Sequence, residues 1–400
     1  MKKHKLKRFA SLFLATTVVA GALAGCSSDG GGASSEGNKV DGDTIKIGAN
    51  LELSGNVASY GSSIGDGAQL AVDEINAAGG INGKKLDLVT VDNKSENQEA
   101  ATAALRLVEK EKVVAMISPA TSGNTLATVQ TANDNKVPSI SAAATATNIT
   151  VADNGSVNEY AFRTCFLDDY QAFGGAEFAI DSLGAKNVAI LSDNSSDYGK
   201  GLAAAFKSKV EESGGKVVAE ELYIAKDTDF RTTLTNIKGK NPDLIYIPGY
   251  YDEVALIIKQ ARELGITAPL LGGDGWDSPK MLEVAGSDAL NQTYFTNHYS
   301  VDDESEKVKS FVTAFNDKYS KSPDAFHALG YDSVYYLKDA IERVEGDITG
   351  EAIKDALEQT KDLELVTGTF SVDEEHNPVK SIAILEFADG KQVLNSKVNP

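Results

Sequence analysis

Cysteine and histidine are scarce in this chain of 400 residues, with two of the first and four of the second. Two cysteines exclude a disulfide scaffold and any cysteine-based zinc or iron–sulfur site. Four histidines, one of them (His4) close to the N-terminus, leave little room for a histidine metal centre, so neither a metal nor a cofactor is expected. Basic residues are outnumbered as well: 38 Lys and Arg stand against 58 Asp and Glu, a net charge of −20. Five of those bases (Lys2, Lys3, Lys5, Lys7, Arg8) precede residue 26 without a single acid, so the body beyond is more acidic still. Such a body is repelled by nucleic acid and by anionic headgroups, which removes both as partners. Phosphate loops are missing, since there is no GxxxxGK[ST] and no GxGxxG directly after a strand. Asp274-Gly275-Trp276-Asp277 lacks the alternating acids of a calcium loop. The acidic pairs Asp168-Asp169 and Asp302-Asp303 read as solvated faces or helix-start charges. Gly61-Ser62-Ser63-Ile64-Gly65 matches GxSxG, yet a nucleophile elbow needs a strand directly before it and an Asp and a His after it. A loop intervenes here, and none of His298, His327 and His376 lies in a promising setting. Small residues at a helix start explain the motif better. No enzyme is expected.

What is present begins with the leader. Residues Met1–Arg8 are basic and Phe9–Ala24 is apolar with small residues near its end, the order of a secretory signal. The apolar run is short of the roughly 20 residues that span a bilayer. Leu23-Ala24-Gly25-Cys26 resembles a bacterial lipobox, a likeness that implies Cys26 as the lipid-bearing first residue of the mature chain. Residues 1–25 are thus read as a lipoprotein signal peptide and 26–42 as the lipidated Cys and a Gly/Ser-rich flexible tether. Cys165 has no partner left and reads as a buried structural thiol.

From Thr44 short β-branched runs alternate with longer amphipathic ones. Thr44–Ala49 reads as a strand, and Ser63–Ala78 as a helix with Ala68, Ala71, Val72 and Ile75 on one face. Gly79-Gly80 stops that helix. Leu86–Val91, Val113–Ile117 and Pro138–Ser141 read as further strands separated by helices. The rhythm restarts after Phe162, with strands at Val188–Leu191, Val217–Leu222, Leu244–Ile247 and Pro269–Leu271. Helices are expected near Glu304–Tyr319, Ala325–Val344 and Ala352–Gln359, then single strands at Leu365–Phe370 and Ser381–Phe387. Alternation of this kind means βαβ units, a parallel sheet covered on both faces, and here two doubly wound α/β lobes. In such sheets ligands bind beyond the carboxyl ends of the strands. The residues there are hydroxyls, glycines and tyrosines with a single buried-looking acid, a set suited to holding a ligand.

Taken together, Leu53-Ser54-Gly55 through Tyr60-Gly61, the segment Gly67–Leu86 (GAQLAVDEINAAGGINGKKL) and Ser118-Pro119-Ala120-Thr121-Ser122-Gly123 resemble the branched-chain amino-acid-binding proteins of ABC importers. Ser141–Thr145, Tyr198-Gly199-Lys200-Gly201, Pro248-Gly249-Tyr250 and Gly272-Gly273-Asp274-Gly275 extend the likeness over the body. The resemblance implies a type I periplasmic-binding-protein-like fold, two lobes joined by three crossovers near Phe166, His298 and Lys380 and closing by a hinge. Lobe 1 would be 43–165 plus 298–380, and lobe 2 166–297 plus 381–400. It further implies Ser122, Thr145 and the Ala143 amide for a ligand carboxylate, and Asp274 for its ammonium, where many relatives carry Glu. Tyr60, Tyr198, Tyr250 and Phe326 would line the cleft. The implied ligand is Leu, Ile or Val, the partners are the importer's membrane subunits, and the protein is a monomer on the extracytoplasmic face, touching the membrane only through its lipid. Another amino acid, urea or an amide on the same fold is the alternative ligand, and an enzyme on this fold the alternative activity. Residue by residue, Ser122 also reads as a helix N-cap, Tyr60 as packing, and Asp274 as a cap of the turn that follows it.

Overall fold

The structure is a computed structural model that describes residues 37–398, so the leader, Cys26 and most of the tether lie outside the described residues. In β1 (Thr44–Leu51) Ile45 and Ile47 are buried and burial is then unbroken to Leu51, the pattern of a strand covered on both faces. It is flanked by β2 (Lys85–Asp92) and β3 (Ala115–Ile117), with β4 (Ser139–Ser141) and β5 (Ala161–Arg163) beyond, all parallel in the order β2-β1-β3-β4-β5. The second sheet repeats the theme. Its strands β6 (Asn187–Asp193), β7 (Lys216–Tyr223), β8 (Leu244–Tyr246), β9 (Leu270–Gly272) and β10 (Thr293–Asn297) are parallel in the order β7-β6-β8-β9-β10. A two-stranded ribbon, β11 (Leu363–Leu365) and β12 (Gly368–Phe370), stands apart. The second sheet is completed by β13 (Ile382–Ala388), antiparallel to β10, and edge strand β14 (Lys391–Val398).

The helices are α1 (Ala58–Ala77), α2 (Asn97–Arg106), α3 (Ser122–Asn135), α4 (Asp168–Glu177), α5 (Asp197–Glu212) and α6 (Arg231–Lys238). They continue with α7 (Tyr251–Glu263), α8 (Lys280–Ala285), α9 (Ser287–Leu290), α10 (Glu306–Tyr319), α11 (Ala325–Arg343) and α12 (Gly350–Leu357). The chain leaves the first sheet after β5, returns after β10 to lay α11 against α1, and leaves again for β13, so it crosses three times between two doubly wound units. Both sheets share the strand order 2-1-3-4-5 with a reversal between the first and third strands, which is where such sheets open a crevice for ligands. Among the described residues no helix is long and apolar enough to cross a membrane.

Three differences from the sequence reading stand out. The single strand expected at 365–370 is the hairpin β11/β12, whose turn is held from afar: Asp332 accepts from the amides of Val366 and Thr367 at 2.8 and 2.9 Å. Helix α1 starts at Ala58, so the GxSxG match lies within it rather than at its start. Asp168 and Asp169 do open a helix, α4, but Asp168 is buried rather than solvated, and burial pushes its carboxyl up to about 8.

Candidate functional site

A narrow cavity lies between the two sheets, walled by Tyr60, Ser122, Ala143 and Phe326 on one side and Tyr198, Tyr250 and Asp274 on the other, with Ala120 and Gly275. The walls on both sides follow strand ends: Ser122 and Ala143 come after β3 and β4, Tyr198, Tyr250 and Asp274 after β6, β8 and β9. Seven of the eight expected residues therefore meet. Thr145 is completely buried nearby but is not part of the wall. A wider cleft opens beside Tyr299, Val366 and Ser381 and is rimmed by Asp303, Glu306 and Lys307. The smaller cavity is where the aromatic rings and a buried acid converge, as ligand sites require.

Tyr60 sits in the first turn of α1. Its ring stacks on Phe326 at 4.3 Å and meets Tyr250 and Tyr251 edge-on at 5.9 and 5.0 Å. Its hydroxyl donates to the Gly275 carbonyl and accepts from the Tyr251 amide at 3.3 Å, so it joins the two sides through polar contacts as well as packing. Across the cavity Tyr198 and Tyr250 stack at 5.0 Å. Burial holds the Tyr60, Tyr198 and Tyr250 hydroxyls far above their ordinary range, so they stay neutral donors. Phe326 is held by the start of α11, where Asp324 caps the His327 amide at 3.1 Å and Asp277 accepts from the Ala325 amide at 2.9 Å.

Asp274 opens a short 3-10 turn after β9 and its side chain caps no amide of that turn. Oδ1 instead accepts from Tyr198 Oη at 2.8 Å and Gln171 Nε2 at 3.0 Å, and Oδ2 pairs with His298 Nε2 at 2.9 Å. A Cβ on Gly273 would come within 2.5 Å of Tyr198 Oη, and one on Gly275 within 2.8 Å of the Gly249 carbonyl, so both glycines are needed for the close approach.

The opposite end is built from α3 and the loop after β4. Ser122 is the first residue of α3, but its Oγ caps none of that helix's amides; it accepts from Ala146 N at 3.2 Å. Its role as a cap is thereby set aside. Thr145 Oγ1 is buried and interacts with the Asp168 carboxyl, whose charged form it favours. Three further groups escaped the sequence reading. Glu52, fully buried, accepts from the Ala120 and Thr121 amides at 2.9 and 3.2 Å and from Asn124 Nδ2 at 2.8 Å, fixing the loop ahead of Ser122. Gln171 and His298 grip Asp274. The only signal in the sequence was an acid at the end of β1; nothing local marks Gln171 or His298. Among the described residues no group of three or more His, Cys, Asp or Glu could hold a metal ion.

A cleft between two doubly wound units, lined by rings and closed by a buried acid at one end, is the site of a solute-binding protein of type I architecture. The comparisons agree: the profile of the periplasmic binding protein family matches residues 44–392. The chain belongs to that family. It is 33% identical over 350 residues to the Leu/Ile/Val-binding protein BraC3 of Rhizobium johnstonii, covering 87% of this chain and 93% of that one. Among solved structures, the branched-chain amino acid transporter substrate-binding protein LivJ of Streptococcus pneumoniae, in complex with isoleucine, is 42% identical with a TM-score of 0.83. That match covers 89% of this chain and all of LivJ. A solute-binding protein of an ABC transporter from R. palustris in complex with benzoate is 25% identical with a TM-score of 0.81, over 89% and 97% of the two chains.

Proposed function

We propose that this chain is an extracytoplasmic solute-binding lipoprotein that captures Leu, Ile or Val between its lobes and delivers it to the membrane subunits of an ABC importer, without chemistry on the ligand. The observation that carries the reading is the polarity of the cavity. Asp274 stands at one end, and Ser122, Ala143 and the buried Thr145 stand near the other, with aromatic rings between. The free amides at the start of α3 add a positive dipole end that favours an anion. A zwitterion with an apolar side chain answers all three demands, whereas benzoate would leave Asp274 facing no cation. The BraC3 and LivJ likenesses support the same ligand class. The lobes we assign are 43–165 with 298–380, and 166–297 with 381–400, hinging near Phe166, His298 and Lys380.

Titration calorimetry against Leu, Ile, Val, Gly, Ser, urea and benzoate tests the ligand. Burying a Leu-sized side chain contributes about 1.5–3 kcal/mol, so Leu should bind roughly ten- to a hundredfold more tightly than Gly. Equal affinity for Gly and Leu, or a preference for benzoate, would sink the proposal. The anchor has its own test: Cys26→Ser should release the protein from the membrane fraction, and retention there would remove the lipid from the reading.

A further inference from the structure

Asp274 is surrounded by donors that carry no charge. Gln171 Oε1 accepts from the Asp274 amide at 3.2 Å and from Thr296 Oγ1 at 2.9 Å, which fixes the amide so that Nε2 must face Asp274 Oδ1. Tyr198 completes that oxygen. Among the described residues the only side chain on Oδ2 is His298, whose ring lies against Phe166 at 3.6 Å. His298 Nδ1 is buried and has no hydrogen-bond partner among the described residues. A ring with one nitrogen on a carboxylate and the other on nothing carries its single proton on the first, because an unpaired N–H is the costlier orphan. The nearby cations are engaged elsewhere: Lys380 Nζ donates to the Thr164 carbonyl at 3.0 Å and Thr367 Oγ1 at 2.5 Å, and Arg163 to the Ala146 carbonyl at 2.9 Å.

A carboxylate offers about four acceptor sites, and Asp274 has three filled by these neutral donors. We propose that His298 is a positioning residue for ammonium recognition: as a neutral Nε2–H donor it pins Oδ2 of Asp274 and leaves one acceptor site, with the whole negative charge, to the ligand's cation. This rests on the reading of Asp274 as the ammonium's partner and adds the device that aims it.

The device has a signature. If His298 takes a second proton it becomes the counter-ion of Asp274 and competes with the ligand. The charged and titratable groups around it are Asp274, Asp168 (joined to Asp274 through Gln171 Nε2, 3.1 Å from Asp168 Oδ1), Lys380 and the Tyr198 hydroxyl. Burial, and more weakly Lys380, hold the imidazole below its ordinary range, while Asp274 pulls the other way. The ring is thus neutral at pH 7.5 and gains its proton at acid pH, where the charges of leucine do not change.

The test is leucine calorimetry from pH 7.5 to 5.0 on the parent, His298→Gln, His298→Phe and Asp274→Ala, with the unliganded melting temperature of each as a folding control. Parent affinity should fall toward acid pH, by up to roughly tenfold per pH unit once His298 titrates. Gln, which places an uncharged N–H near Nε2, should flatten that fall. Phe keeps the ring stack but loses the donor, and should bind roughly tenfold or more weaker than Gln at pH 7.5. Nitrogen shifts of the His298 ring in the parent should report the neutral Nε2–H form at pH 7.5. A parent that ignores leucine overturns the ligand reading itself. A parent that binds leucine, with His298→Phe matching it in affinity and pH profile, or a ring found as Nδ1–H, overturns the role of His298 alone.

Discussion

Asp274 and Ser122 differ in what their loss leaves behind. On the proposed reading, removing the Ser122 hydroxyl would take one hydrogen bond from the ligand's carboxylate, about 1.5–3 kcal/mol. Removing Asp274 would, on the same reading, strand the ligand's buried cation, a penalty of roughly 3–5 kcal/mol. Asp274→Ala should therefore weaken leucine binding more than Ser122→Ala, by calorimetry at neutral pH; the reverse order would detach Asp274 from the ligand. Asp168 makes a second prediction. Burial lifts its carboxyl to about 8 in the folded protein, against about 3.9 in an unfolded chain. Between those values the folded state holds a proton that the unfolded state has lost, so this group's contribution to stability falls as pH rises from about 4 to 8. Asp168→Asn should gain on the parent most near pH 8, seen as a urea midpoint that shifts less between pH 5 and 8. A parent and variant with parallel midpoints would place the carboxylate in its ionised form. Tyr198 and Tyr250 were legible in the sequence because they sit in short motifs at strand ends, and Tyr60 through the family resemblance alone. Gln171 and His298 were not, because what makes them matter is a carboxylate more than twenty residues away.

Helices α1 and α11 meet through glycines. A Cβ on Gly330 would fall 2.2 Å from the Ile64 carbonyl, and one on Gly67 1.9 Å from that of His327. The same contact carries Tyr60 and Phe326, near the two helix starts, into their stack. Gly330→Ala should destabilise the protein by about 1–3 kcal/mol through overpacking and weaken leucine binding with it, as measured by chemical denaturation and calorimetry. A variant as stable as the parent would mean the helices separate freely. Elements with a strong period were readable: β1, β2, β6 and β7, and the apolar stripe of α11. The three residues of β5 offer no period to read, and β14 (KQVLNSKV), a half-exposed edge, mixes polar and apolar side chains. The split of β11 from β12 depends on Asp332, which reaches the turn from another helix and leaves no local trace.

For the whole molecule, the two sheets hold the cavity walls, and a ligand bound to both would be a strut between them. Leucine should compact the body in small-angle scattering; an unchanged radius would argue for a rigid cleft. The alternation of strands and helices made the doubled architecture legible, but not that both sheets would be wound in one order, since pairing of distant strands is set by packing. One feature of that architecture offers a clock. Cys165, just past β5, is completely buried, with Sγ 3.2 Å from the Ala144 carbonyl, and burial pushes its thiol up to about 11. In a body that begins after Cys26 it is the sole thiol. A water-soluble disulfide reagent can reach it only when the surrounding structure parts, so the labelling rate counts openings. If hinge motion is what uncovers it, saturating leucine will slow that rate in proportion to occupancy, and the unmodified protein will report its own ligand without any dye attached beforehand. A rate indifferent to leucine would assign the exposure to some other breathing of the fold.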